Sequence, residues 1–226
     1  MIDTIKAKSA FTLAEVLITL VIIGIVAALT IPAAINKYKD EELKAQFKKT
    51  YSTISQAIYK TEMNNFYGYA RCYYIMATNS WSSRNEDCVA FFDTLAKNLS
   101  VQKICKGNAK SGGCIPDYDS YSEETGGFTG FQRNYVENVD HAYVLADGQI
   151  LIAYFYSNTG SMPLFLMDIN GHKGPNTYGK DLYAFRIDKT ENSGLYMSGG
   201  TNGGFTVPQD GKSSAAMLKY AILGKK

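Results

Sequence analysis

The stretch "FTLAEVLITLVIIGIVAALTIPAAI", Phe11 to Ile35, decides how this chain is to be read. It is apolar in the main and uncharged except for one carboxylate, Glu15, close to its beginning. A helix over these residues rises about 1.5 Å per residue, enough to cross a hydrocarbon core of about 30 Å. A carboxylate at the centre of such a helix costs about 2.5 to 3.5 kcal/mol on insertion scales, so Glu15 needs a partner or a boundary. Pro32 removes a backbone donor near the far end and predicts a bend or a local loosening there. Gly24, Ala27 and Ala28 supply small surfaces at which helices approach closely.

The flank before it, "MIDTIKAKSA", is short and polar and carries Lys6 and Lys8, which favours a cytoplasmic N-terminus and a domain on the other side. A secretory signal peptide has an apolar core of about 7 to 15 residues followed by a small-x-small cleavage site, and this run is longer. A plain single-pass anchor accounts for length and topology but leaves Glu15 without a reason.

"AFTLAEVLITLVIIGIVAALTIP" resembles the N-terminal signature of type IV pilins and type II secretion pseudopilins. The likeness rests on the Phe, the Thr-Leu pair, the Glu four residues after the Phe, and the late Pro. It covers about residues 9–35 and extends more loosely along the helix that follows. The resemblance implies cleavage between Ala10 and Phe11 by a membrane prepilin peptidase, then methylation of the new amine on Phe11. Ala10 stands where the family most often has Gly, so a small residue is kept. It also implies that Glu15 pairs with the N-terminal amine of a neighbouring subunit during filament assembly. Residues i and i+4 share a helix face, and an unpaired carboxylate in low dielectric costs far more than a paired one.

Beyond Ile35 the composition changes. Phe47, Tyr51, Ile54 and Ile58 recur at helical spacing among lysines and glutamates, so one long helix is expected from Phe11 to Met63, its second half lying on a globular domain. Residues 64–118 read as irregular apart from a short helix in "DCVAFFDTLAKNLS" with Val89, Phe92, Leu95, Ala96 and Leu99 on one side. Residues 118–131 read as a polar loop. "HAYVLADGQILIAYFYS" predicts a hairpin turning at Asp147–Gly148. "PLFLMDING" and "DLYAFRID" predict a second strand pair, "GLYMSGG" a last strand, and "SSAAMLKYAILG" a closing helix. The expected fold class is α+β, a long N-terminal helix packed on an antiparallel sheet, as in pilins. The expected division is a leader over 1–10, a transmembrane and polymerisation helix over 11–35, an amphipathic continuation over 36–63, and an exported domain over 64–226.

The cysteines are Cys72, Cys88, Cys105 and Cys114, with no C-x-x-C spacing. Two disulfides suit an exported domain. Three connectivities exist, and Cys72–Cys88 with Cys105–Cys114 is preferred because each closes a short loop. Seventeen Tyr and 20 Gly suit a β-rich exported domain better than a helical bundle. In "DINGHKGPNTYGKD", Asp168, Asn170 and Asp181 are candidate oxygen ligands for calcium, as some pseudopilins hold calcium in a late loop. His172 breaks the EF-hand pattern, and Asn170–Gly171 reads equally as a turn. No cofactor is otherwise expected.

No nucleophile-elbow, metalloprotease, dinucleotide or Walker motif occurs, so no enzyme is expected. A formal charge of +2 gives no reason to require nucleic acid as a partner. The expectation is a structural pilin or pseudopilin subunit, with a slight lead for the pseudopilus because the cysteines sit mid-domain. Its expected partners are the prepilin peptidase, other subunits, the bacterial inner membrane and assembly-platform proteins. The expected course is a single-pass subunit with a cytoplasmic N-terminus and the domain outside, later built into a filament. A minor tip pilin binding DNA, a surface or cargo is the second reading, and a membrane-anchored extracellular enzyme the third.

Overall fold

The structure is a computed structural model and describes residues 12–77, 86–118, 133–138, 141–154, 164–190, 194–199 and 211–224. The chain divides into two compact units, Met1–Glu42 and Leu43–Lys226.

Helix α1 runs from Leu13 to Ala77. It is followed by α2 (Glu86–Lys97), β1 (Val101–Lys106), α3 (Arg133–Asn138), β2 (His141–Leu145), β3 (Ile150–Tyr154), β4 (Leu164–Asp168), β5 (Leu182–Thr190), β6 (Gly194–Gly199) and α4 (Ser214–Leu223). The six strands form one sheet in sequential order, every neighbouring pair antiparallel. The fold is α+β, a long N-terminal helix with an antiparallel sheet in a pilin-like arrangement.

Three elements depart from the reading of the sequence. The helix continues through residues 64–77, where irregular chain was expected; Asn64, Asn65 and Gly68 disfavour a helix there, but Pro is absent. β1 also falls in a stretch read as irregular, and α3 falls in residues 132–140, for which no element was expected. "VQKICK" has no clean alternation because the register shifts between Val101 and Lys103 against β2, which breaks the period of two. The predicted loop over residues 118–131 lies almost wholly outside the described residues.

Side chains of opposite parity along each strand build two cores. Tyr143, Leu151, Phe165, Met167, Tyr183, Phe185 and Ile187 face Phe47, Ile54 and Ile58 of α1 and Phe91, Phe92 and Leu95 of α2. Phe47 meets Tyr183 edge-on at 5.0 Å between ring centroids. On the other face, Ile150, Ile152, Leu164, Leu166, Leu182 and Ala184 pack with Ile115, Tyr118 and Val136. β4 is therefore buried at every position, both parities being covered.

The hairpin between β2 and β3 turns at Asp147–Gly148, with Gly148 at φ 87°. Gly171 also lies at positive φ, 66°, and a Cβ there would stand 2.0 Å from the Gly148 carbonyl oxygen, so the two turns approach closely only because Gly171 lacks a side chain.

Candidate functional site

The first turn of α1 is a capping box. Thr12 precedes the helix; its amide N–H and its hydroxyl both donate to Glu15 Oε2 at 2.9 Å, and its Oγ1 accepts from the Glu15 amide at 3.3 Å. Thr-x-x-Glu at a helix start satisfies two otherwise orphaned groups reciprocally and sets the carboxylate against the positive end of the helix dipole. The T-x-x-E spacing of this box, Thr12 to Glu15, is legible in the sequence. Ala10 and Phe11, the expected cleavage pair, lie outside the described residues, and so does the Phe11 amine expected to approach Glu15.

From Leu13 on, the helix carries its apolar side chains outward. Leu17, Leu20, Ile23, Val26 and Leu29 are all more than half exposed. Its most apolar window has a mean hydropathy of 2.7 and none of it is buried, and among the described residues it is the one helix long and apolar enough to cross a membrane. The hydroxyls within the run are internally satisfied: Thr19 donates to the Val16 carbonyl and Thr30 to the Val26 carbonyl. Such back-bonding lets Thr sit in an apolar surround without an unpaired donor. Pro32 lies inside the helix and brings no N–H to the carbonyl of Ala28.

A capped carboxylate at the head of an exposed apolar helix is the geometry on which the N-terminal comparison bears. The family model for the prokaryotic N-terminal methylation motif matches residues 5–31. This is the type IV pilin and pseudopilin signature. No curated protein and no solved structure matches the chain significantly. The pilin signature therefore reaches the head of α1 and stops before Pro32, and the rest of the chain stands on its own geometry. The motif is that of prepilin-peptidase substrates of pilin or pseudopilin type, and the exposed apolar helix is consistent with a membrane anchor.

The other residues singled out in the sequence lie in the domain that follows the pilin signature. Cys72 of α1 is bonded to Cys88 of α2, and Cys105 of β1 to Cys114 in the loop beyond it. All four are buried. Asp168, at the end of β4, and Asp181, just before β5, are both fully buried. Asp168 Oδ1 accepts from the amides of Asn170 and Gly171 at 3.2 and 2.7 Å, and its Oδ2 accepts from the Tyr118 hydroxyl at 2.7 Å. Asp181 accepts from the amides of Asn176 and Thr177, each at 2.7 Å. The Asn170 side chain donates to the Gly174 carbonyl.

The structure thus brings Asp168, Asn170 and Asp181 into one loop, but N–H and O–H donors occupy every carboxylate oxygen. Among the described residues, Asn170 Oδ1 is buried in the same loop without a hydrogen-bond partner. Burial pushes the Asp168 carboxyl up to about 8, with Asp181 adding to the rise, while the hydrogen bonds it accepts oppose it. Burial also raises Asp181, and it raises the Tyr118 hydroxyl well above its ordinary value. His172 is exposed in the same loop. Among the described residues, no three His, Cys, Asp or Glu side chains cluster as metal ligands would.

A second polar cluster lies under α2. Asp93 accepts from the Tyr143 hydroxyl at 2.8 Å and from Lys106 Nζ at 2.6 Å, tying α2 to β1 and β2. Burial works to raise the Asp93 carboxyl, but the Lys106 and Tyr143 hydrogen bonds outweigh it and hold it below its usual range.

Proposed function

We propose that the chain is a structural subunit of a type II secretion pseudopilus or of a type IV pilus. The observation that carries this reading is the capping box: Glu15 lies at the head of an exposed apolar helix, inside the methylation motif. In this reading the prepilin peptidase cuts between Ala10 and Phe11 and Phe11 is methylated. The subunit waits in the inner membrane with its N-terminus cytoplasmic, and α1 then packs against the helices of other subunits. Glu15 leaves a hydrogen bond of its own turn for the Phe11 amine of a neighbour, so its charge is never buried unpaired. The domain over 64–226, held by two disulfides, faces outward on the filament and performs no catalysis. The pseudopilus has a slight lead because the cysteines sit mid-domain.

Intact-mass and N-terminal peptide analysis of protein from native membranes, with and without the prepilin peptidase, tests this. A chain beginning at methylated Phe11 only when the peptidase is present is the expected result. A chain still beginning at Met1 would reduce α1 to a plain anchor. Glu15→Ala in the processed protein is expected to stay membrane-bound and fail to enter filaments.

A further inference from the structure

Where the apolar run of α1 ends, a shallow groove runs along one stripe of the helix, lined by Ile31, Ala34, Ile35, Tyr38, Lys39 and Glu42. Its lower half is apolar and exposed, Ile31 at 53% and Ile35 at 47%. Its upper half carries Tyr38, 71% exposed, the Lys39 ammonium and the Glu42 carboxylate, and Lys37, also exposed, lies on the other side of the helix. Among the described residues neither Lys37 nor Lys39 forms an ion pair.

The order of charges along the helix names the occupant. Lys37 and Lys39 come first after Ile35, and Asp40, Glu41 and Glu42 follow. At about 1.5 Å per residue the two lysines stand about 3 to 6 Å past the last apolar side chain, and the acids about 7 to 10 Å past it. A bilayer about 40 to 45 Å thick around a core of about 30 Å leaves a headgroup layer of roughly 5 to 7 Å on each side. The cations and the Tyr38 ring therefore fall in the phosphate layer, and the acids fall at its outer edge. Tyr is suited to that depth, and lysine stems extend along apolar surface to set the ammonium among phosphates.

We infer that the helix binds anionic phospholipid of the leaflet opposite the leader at this level, an acyl chain lying over Ile31, Ala34 and Ile35 with its phosphate at Lys39, while Lys37, on the other side of the helix, meets the phosphate of a neighbouring lipid. The collar holds the unassembled subunit at a set depth, and this hold is released when the helix leaves the bilayer for a filament. The inference rests on the membrane-anchored reading of α1.

The test uses the full chain reconstituted in phosphatidylcholine vesicles carrying trace spin-labelled phosphatidylglycerol or spin-labelled phosphatidylcholine. The readout is the fraction of each label that the protein immobilises. The expected result is a severalfold preference for phosphatidylglycerol that falls towards one in Lys37→Gln/Lys39→Gln and at high salt. Equal immobilisation of both labels by the unmodified chain, or a preference that the double variant keeps, would overturn it. If the stripe instead seats a second copy of this chain, the lipids are immobilised equally and the double variant lowers the dimer fraction in sedimentation, which also overturns it. Failure of the protein to float with the vesicles would instead overturn the anchored reading of α1.

Discussion

At the scale of single residues, the Thr12–Glu15 pair ties sequence to function most directly. The hydroxyl of Thr12 serves as cap and as donor to the carboxylate, so its loss removes both bonds at once. Thr12→Ala is expected to cost about 1 kcal/mol at the helix start. Amide hydrogen exchange in micelles would then show faster exchange in the first turn of α1 and no change beyond Leu20.

Asp168 belongs to the same scale. Its carboxyl, raised to about 8 when folded, holds its proton more tightly than an unfolded Asp near 4. Its contribution to stability is therefore complete below about pH 4 and is lost as pH rises towards 8. Asp181 acts in the same direction and Tyr118 lies against Asp168, so the slope belongs to the group of three. Urea unfolding across this range is expected to show midpoints falling with pH, and Asp168→Asn to flatten the curve. With the carboxylate oxygens spent on N–H and O–H donors, millimolar calcium is expected to leave the thermal midpoint unchanged. A rise of several degrees would show that Asp168 and Asp181 turn towards a cation.

At the scale of elements, α1 is one helix with two chemistries. Its first part has no buried apolar face among the described residues, and its second part buries Phe47, Ile54 and Ile58 against the sheet. The spacing of those residues makes this legible in the sequence, because a helix brings every third or fourth side chain to one face. Phe47 is 1% exposed and touches both Tyr183 and Phe185. Phe47→Ala is expected to destabilise the domain by about 3 to 5 kcal/mol, read by chemical unfolding. Lys37 and Lys39, outside that core, are expected to move the same midpoint hardly at all when changed to Gln. Phe91 shows the limit of pattern reading: adjacent to Phe92, it does not fit a single narrow stripe, yet both are fully buried. The two rings meet each other at 74° and fill a wider face than the spacing predicts.

At the scale of the whole molecule, both cores and both disulfides lie within Leu43–Lys226. A chain of residues 36–226 expressed in an oxidising compartment is expected to unfold in one cooperative transition. Loss of cooperativity on reduction would show how far Cys72–Cys88 and Cys105–Cys114 hold the ends of the elements they join.

Local chemistry alone carried much of this molecule. An apolar run of membrane length, a carboxylate at its head, a helical stripe and strands around a tight-turn dipeptide are each visible in neighbouring residues, because helix and strand periods are local. The domain's closure was decided only in three dimensions. β1 becomes a strand because β2 pairs with it, and its register shift hides the alternation that sequence reading requires. β4 is buried on both faces because α1 and α2 cover one side and the Cys105–Cys114 loop with Tyr118 covers the other. Asp168 and Asp181, read from sequence as candidate oxygen ligands, are buried acceptors of hydrogen bonds. Their donors arrive from Tyr118, fifty residues away in sequence for Asp168, and from backbone amides whose directions only the folded loop sets. A hydrogen-bond partner at long range is a matter of packing, and no spacing in the chain encodes it.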